Sequence, residues 1–103
     1  MIDYNELRIG NLVKKGASRK ITVVSRREIE TCKRIPNFFN PIPIDVNNVL
    51  NLGFDSNPYQ DRYELNDIYI EHCAIRNMLW IEKAPHVKYL HQLQNYISDC
   101  INS

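Results

Sequence analysis

The clearest hydrophobic pattern in the chain lies near its end, from Val87 to Ile101. At about 100° per residue, the apolar side chains fall on one half of a helical wheel. They are Tyr89, Leu90, Leu93, Tyr96, Ile97, Cys100 and Ile101. Polar residues, including His91 and Asn95, take the other half, and Gln94 sits at the edge of the apolar half. The pattern predicts an amphipathic helix that closes the core of the protein.

Shorter apolar runs in the first half predict three β-strands. They cover residues 7–13, 20–25 and 29–35, and Gly10-Asn11 indicates a bulge or bend in the first. The β-branched run from Ile21 to Val24 is the clearest strand signal of the three. Three short strands joined tightly are typical of a strongly bent antiparallel meander, as in small SH3-like barrels.

The middle of the chain predicts an extended segment followed by a short helix. Three prolines keep residues 36–44 from forming a helix. Asp45 has the character of an N-cap, the apolar stripe that follows runs to Leu52, and Gly53 suits the position just past a helix end. Residues 55–58 are expected to form a loop.

Three further strands are predicted over residues 62–65, 68–75 and 78–82, with turns at residues 66–67 and 76–77. Alternation places Ile68 and Ile70 on one face and Tyr69 and Glu71 on the other, with Trp80 on the partner strand. The predicted order is β-β-β-α-β-β-β-α. It describes an α+β fold, built on an antiparallel sheet or a small SH3-like barrel.

Length and composition predict one folded domain over residues 1–103. The chain is 44% hydrophobic, and it has neither an apolar run long enough to span a membrane nor an N-terminal pattern typical of a signal peptide. We therefore expect a cytoplasmic protein with no membrane partner. Cys32, Cys73 and Cys100 are widely spaced, without a C-x-x-C pair, which favours free thiols over disulfides or a zinc site.

Charge is distributed unevenly along the chain. Residues 1–40 hold nine lysine and arginine residues against four acidic ones, whereas residues 41–103 hold four against eight. Such a distribution can steer an anionic partner to the first half. It is equally consistent with two solvated faces that attract each other within the fold or across a dimer. A homo-oligomer is therefore one of the possible assemblies.

Two basic segments are candidate binding sites. The first surrounds Gly16 and holds Lys14, Lys15, Arg19 and Lys20, which could cradle a phosphate, although it has no Walker pattern and also fits a solvated hairpin tip. In the second, four cations between residues 26 and 34 precede Phe38 and Phe39. Cations beside aromatic rings suit stacking on a base. The alternative for Phe38 and Phe39 is a place in the core or in a dimer contact.

His91, Gln94 and Asn95 form a third candidate, because their spacing makes them neighbours on a helix. They could read a ligand by hydrogen bonds. The favoured alternative is structural: Gln94 leans toward the core and would cap irregular backbone near Gly10-Asn11. No spacing of histidine, cysteine, serine or carboxylate residues defines a metal site or a catalytic set, so neither a cofactor nor enzymatic activity is expected.

Three sequence stretches carry a resemblance to a known group. They are Glu6-Leu7-Arg8-Ile9-Gly10-Asn11 ("ELRIGN") near the start, residues 41–54 in the middle, and His91-Gln92-Leu93-Gln94-Asn95 ("HQLQN") in the last helix. In order and spacing the chain resembles small uncharacterised proteins encoded by phages and mobile elements of gut bacteria. The group usually has a more acidic middle stretch, where this chain has Asn47, Asn48 and Asn51.

The resemblance implies an origin and no catalytic residues. Small phage-encoded domains are often accessory proteins that act by binding. We therefore expect a stoichiometric binding module that counters host defence, either by blocking a host protein or by sequestering a small anionic nucleotide. In the nucleotide case Lys14, Lys15, Arg19 and Lys20 would contact phosphates, and Phe38, Phe39 or Tyr89 would stack on a base. The alternative is a nucleic-acid-associated protein of phage replication or regulation.

Overall fold

The computed structural model describes residues 2–16, 20–57, 61–73, 78–81 and 83–101. Over these residues the chain forms three α-helices and seven β-strands in two antiparallel sheets. Both sheets are open, so the predicted α+β class is confirmed in its open-sheet form and no barrel closes. Of the described helices the longest has 12 residues, and none could cross a bilayer.

The chain divides into two compact units. The first comprises Met1–Pro43 with Tyr89–Ser103, and the second comprises Ile44–Lys88. Each has its own antiparallel sheet, of three strands in the first unit and four in the second. That the two units act as a single domain stays a prediction.

The sheet of the first unit has the order β2-β1-β3. Strand β1 is Leu12–Lys15, β2 is Lys20–Val23 and β3 is Phe39–Asn40. Both neighbours run antiparallel to β1, and the register sets Lys15 directly opposite Lys20 on one side and Phe39 on the other. The core of this unit is formed by Ile2, Leu7, Val13, Val24, Cys32 and Phe39.

The third predicted strand is wrong, because residues 26–34 form helix α1, Arg26–Arg34. Ser25 is its N-cap residue, and its hydroxyl donates to the Glu28 carboxylate at 2.9 Å. Ser-x-x-Glu is the spacing of a capping box, a sequence signal for a helix start, although the Ser25 side chain makes no capping hydrogen bond to the helix backbone. Cys32 and the half-buried Ile29, three residues apart, face the core as helical periodicity requires.

The first predicted strand is also shorter than expected, since β1 begins only at Leu12. Residues 4–6 form a 3₁₀ turn, and a tight turn follows in which Asn11 N–H donates to Arg8 O at 3.1 Å. The Asn11 side chain accepts from Arg8 N–H at 2.7 Å, and Gly10 has φ +97°. Backbone groups satisfied locally in this way do not join a ladder. The bend predicted at Gly10-Asn11 is confirmed.

Helix α2, Val46–Asn51, follows the prediction closely. The Asp45 carboxylate accepts from Asn48 N–H at 2.7 Å, which is the expected N-cap. Gly53 lies just past the helix with φ +100°, a conformation that glycine adopts without a steric cost.

The second unit contains a sheet of order β4-β5-β6-β7. The strands are Asp55–Asn57, Arg62–Leu65, Ile68–Cys73 and Met78–Ile81. Residues 55–57 were expected in a loop, and this is wrong because they pair with β5 along the sheet edge. The turn at Asn66, with φ +53°, is confirmed, whereas the turn predicted at residues 76–77 lies outside the described residues.

Helix α3, Leu90–Ile101, confirms the predicted amphipathic helix. It starts where Leu90 N–H donates to Ile42 O at 2.7 Å, and Leu90 and Leu93 are buried. The wheel assigned His91 to the polar half, yet its side chain is only 1% exposed. The reason is a polar partner from the distant N-terminal segment, described below.

Candidate ligand-binding cleft

The first unit contains an open cleft of about 340 Å³ that gathers residues from both basic segments. Its lining residues come from the sheet, from helix α1 and from the chain before β3: Lys15, Lys20, Thr22, Arg27, Glu28, Thr31, Phe38 and Phe39. The volume is at the lower end of the range typical of small-molecule sites, about 300–1,000 Å³. We call this feature the basic cleft.

Two cations of the basic cleft are brought together by the strand register. Lys15 on β1 and Lys20 on β2 are direct cross-strand partners, so their side chains leave the same face of the sheet. Like charges directly opposite each other are unfavourable for sheet stability. The register therefore places two positive charges next to each other on this face.

Helical periodicity places the third cation. Arg27 and Thr31 are four residues apart on α1, and both line the cleft. The Thr31 hydroxyl donates to Arg27 O at 3.0 Å, which fixes the hydroxyl against the helix. Glu28 is the one carboxylate among the described lining residues, and it accepts the hydrogen bond from Ser25. Three cations against one acid give the lining of the cleft a net positive charge.

The two phenylalanines form an edge-to-face pair, with ring centroids 5.0 Å apart and planes at 83°. Phe39 is 1% exposed and belongs to the core. For this ring the structure therefore agrees with the core position that was the alternative to base stacking. Phe38 is half-buried and is held by the hydrogen bond from Gly16 N–H to its carbonyl at 2.7 Å. The Lys15 ammonium lies 5.8 Å from the Phe38 ring centre. An aromatic ring and a cation are thus adjacent at the cleft.

Of the predicted phosphate loop, Lys14 does not line the cleft. Lys14 points to the opposite face of β1, where its cross-strand partners are Ile21 and Asn40. Arg19 lies outside the described residues. The structure therefore brings together Lys15, Lys20 and Phe38 from the predicted set and adds Arg27. Sequence reasoning had noted Arg27 only as part of the second basic segment.

The third candidate set, His91, Gln94 and Asn95, makes hydrogen-bonding contacts within the protein. Gln94 Oε1 accepts from Leu12 N–H at 2.9 Å, and its Nε2 donates to Gly10 O at 3.4 Å. This confirms the expectation that Gln94 caps irregular backbone near Gly10-Asn11. Asn95 donates from Nδ2 to Glu6 O and accepts from Asn11 Nδ2 at 2.9 Å. The "HQLQN" and "ELRIGN" stretches thus hydrogen-bond to each other.

His91 completes this contact. Its Nε2 lies 3.0 Å from Glu6 Oε2, within hydrogen-bonding distance. Nδ1 is fully buried, and no described residue hydrogen-bonds to it. The ring of Tyr89 stacks on that of His91, with centroids 6.2 Å apart and planes at 10°. Tyr89, His91, Gln94 and Asn95 are not among the residues that line the basic cleft. Their role as ligand contacts stays a prediction.

An ion pair that sequence reasoning missed lies at the end of the same contact. The Arg8 guanidinium donates to both oxygens of Asp99, at 2.7 and 3.1 Å. Their hydrogen bond is the main reason why the pKa of Arg8 is raised and the pKa of Asp99 is lowered. The two residues are 91 positions apart, so no local pattern could have indicated the pair.

The described residues contain no group of three or more histidine, cysteine and acidic side chains placed to hold a metal ion. Cys32 is buried in the core, where burial, and secondly the charge of Asp3, raises its thiol pKa. A raised pKa leaves the sulfur as a weakly nucleophilic thiol.

The fold and the cleft together define an α+β protein with an open, basic cleft that has aromatic residues in its lining. No protein-family model, curated protein or solved structure matches this chain.

Proposed function

We propose that this protein binds a small anionic ligand of the nucleotide type in the basic cleft and acts by occupying it stoichiometrically. The observation that carries the proposal is the convergence of Lys15, Lys20 and Arg27 beside the Phe38 ring in one cleft of about 340 Å³. Phosphate groups would contact the three cations by charge-assisted hydrogen bonds. A base would lie against Phe38, where a ring and a cation are already adjacent.

The biological setting of the proposal comes from the resemblance to small phage and mobile-element proteins. A binding protein of that origin, acting in the host cytoplasm, would lower the free concentration of a nucleotide signal used in host defence. Cleft size supports a mononucleotide or a compact cyclic nucleotide over a long polymer, since about 340 Å³ is small for a ligand pocket.

The test compares two neighbouring arginines on α1. Arg27 lines the cleft, whereas Arg26 precedes it in the same first turn and is not among the lining residues. Titrating a panel of mononucleotides and cyclic dinucleotides by calorimetry should give one site per chain. Arg27→Ala should weaken binding about tenfold or more, from the loss of a hydrogen bond between charged groups worth about 1.5–3 kcal/mol. Arg26→Ala should change the affinity less than about twofold.

Native mass spectrometry of protein purified gently from bacteria is the complementary measurement. A retained mass equal to one nucleotide per chain would identify the ligand. If instead the panel gives no saturable binding, and single-stranded oligonucleotides bind with a steep dependence on salt, the nucleic-acid alternative is correct. Equal loss of affinity in Arg26→Ala and Arg27→Ala would contradict the cleft as the site.

A further inference from the structure

The second unit has a sheet face with an unusual composition for a surface in contact with solvent. Along β6, Ile68 and Ile70 are buried, and the alternate residues Tyr69 and Glu71 lie on the opposite face. The register adds Trp80 to that face, directly opposite Glu71. We call it the open face, because Tyr69 and Trp80 are each 37% exposed there.

Polar residues normally cover the solvated face of an antiparallel sheet. On the open face, Tyr69 and Trp80 are joined by Met78, which is 51% exposed. Tryptophan, tyrosine and methionine are enriched where proteins bind other proteins, and charged residues commonly surround them. Here Asp55, Glu64 and Glu71 are the acidic residues of the face, against a single described cation, Arg62. A partner complementary to this face is positively charged.

The contacts of Arg62 indicate which type of cation binds well on the open face. Its guanidinium carbon lies 4.6 Å from the Tyr69 ring centre, and its Nε donates to Glu64 Oε1 at 2.9 Å. Glu64 and Tyr69 are direct cross-strand partners. A carboxylate and an aromatic ring side by side on neighbouring strands thus bind one guanidinium, through an ion pair and a cation–π contact.

Glu71 and Trp80 repeat this arrangement one strand further across the sheet. They too are direct cross-strand partners, and tryptophan is the strongest cation–π acceptor of the aromatic residues. Arg62 lies opposite Glu71 on the other side, but its guanidinium is engaged by Glu64 and Tyr69. Within the described part of the chain, the carboxylate of Glu71 makes no hydrogen bond or ion pair, unlike that of Glu64.

We propose that the Glu71–Trp80 pair on the open face binds an arginine side chain of a partner protein. A planar guanidinium can stack on the indole and donate two hydrogen bonds to the carboxylate, which a lysine ammonium cannot do in the same geometry. The acidic character of the face disfavours nucleic acid, because carboxylates repel phosphates. This site is separate from the basic cleft and does not depend on the ligand proposed for it.

Trp80 is the only tryptophan in the chain, so its fluorescence reports directly on this site. The probes are two capped peptides, acetyl-Gly-Arg-Gly-Arg-Gly-amide and its lysine counterpart. We expect a saturable change in Trp80 emission with the arginine peptide and affinity at least about threefold weaker for the lysine peptide. Glu71→Gln should weaken binding of the arginine peptide about fivefold or more.

The matched control is Asp67→Asn, which removes one negative charge from the exposed turn between β5 and β6. It should leave the affinity for the arginine peptide within about twofold of the unmodified protein, because attraction between separated exposed charges is weak. Equal binding of the two peptides, or equal loss of affinity in Asp67→Asn and Glu71→Gln, would show general charge attraction and overturn the proposal.

Two further outcomes would also count against it. A Trp80 emission that does not change with either peptide excludes the site. A Trp80 emission that changes with protein concentration alone, with matching self-association in sedimentation, shows that a second copy of the chain covers this face. Circular dichroism of each variant separates a loss of binding from a loss of folding.

Discussion

The side-chain oxygen of Gln94 accepts a hydrogen bond from the backbone N–H of Leu12, 82 residues earlier in the chain, at 2.9 Å. The same amide donates to Gly10 O at 3.4 Å. Leu12 is the first residue of β1, so the last helix satisfies the backbone at the point where the irregular N-terminal segment becomes a strand. Together with the contacts of Asn95 and His91, this bond ties the two ends of the first unit.

Replacing Gln94 by leucine tests the importance of this bond. Gln94→Leu leaves Leu12 N–H without its acceptor in a partly buried position, and we expect a loss of about 1–3 kcal/mol in the free energy of unfolding. Urea denaturation measures it. Gln94→Glu keeps an acceptor oxygen and should lose less. Equal stability of Gln94→Leu and the unmodified protein would contradict a structural role for Gln94.

The Arg8–Asp99 ion pair should make stability depend on pH. Since the pKa of Asp99 is lowered in the folded state, the pair contributes fully above the unfolded-state pKa of the carboxyl, and its contribution disappears as pH falls through the folded-state pKa. Both side chains are largely exposed, so the effect is small. Asp99→Asn should lower Tm slightly at pH 7 and not at all at strongly acidic pH. A Tm difference that persists in acid would contradict this assignment.

The opposed lysines at the basic cleft predict a trade between stability and binding. Lys20→Glu places an acid directly opposite Lys15, which should raise the free energy of unfolding by about 0.2–1 kcal/mol. The same change should abolish binding of the anionic ligand, because it reverses a charge in the cleft. Chemical denaturation and calorimetry on one preparation measure both effects. A variant that is more stable and binds equally well would show that Lys20 makes no ligand contact.

The turn at Gly10 offers a test of backbone strain alone. Gly10 has φ +97°, and a Cβ added there meets no atom within 4 Å. Any loss of stability in Gly10→Ala therefore comes from the backbone conformation, and we expect about 1–3 kcal/mol. Gly10→Asn should cost less, since asparagine tolerates positive φ better. Thermal unfolding of both variants measures the difference. An alanine variant as stable as the asparagine variant would contradict a positive φ at residue 10.

Local signals predicted several elements correctly. Helix α2 was expected from the Asp45 cap and Gly53, both of which the structure contains. Helix α1 was missed although its signal is present, since Ser25 and Glu28 have the spacing of a capping box. Strand β4 was missed for a different reason: Asp55, Ser56 and Asn57 have low strand propensity, and pairing with β5 alone makes them a strand.

The basic cleft could be predicted only in part. The sequence shows both basic segments and the Phe38-Phe39 pair. Which cations meet depends on the register of β1 with β2, which turns Lys15 and Lys20 to the same side and Lys14 to the other. A shift of one residue would exchange these faces, and the register depends on which side of β1 packs into the core, where Val13 is buried.

Local sequence patterns were therefore sufficient to predict the α+β class, the amphipathic last helix and the capped second helix, because caps and periodicity act between residues a few positions apart. The tertiary structure alone decided that His91 is buried against Glu6, that Gln94 supports Leu12, and that Arg27 joins Lys15 and Lys20. In each case the partner lies on a separate element, in the first two more than 80 residues away. Only the packing of the folded chain brings such side chains within hydrogen-bonding distance or into a shared cleft.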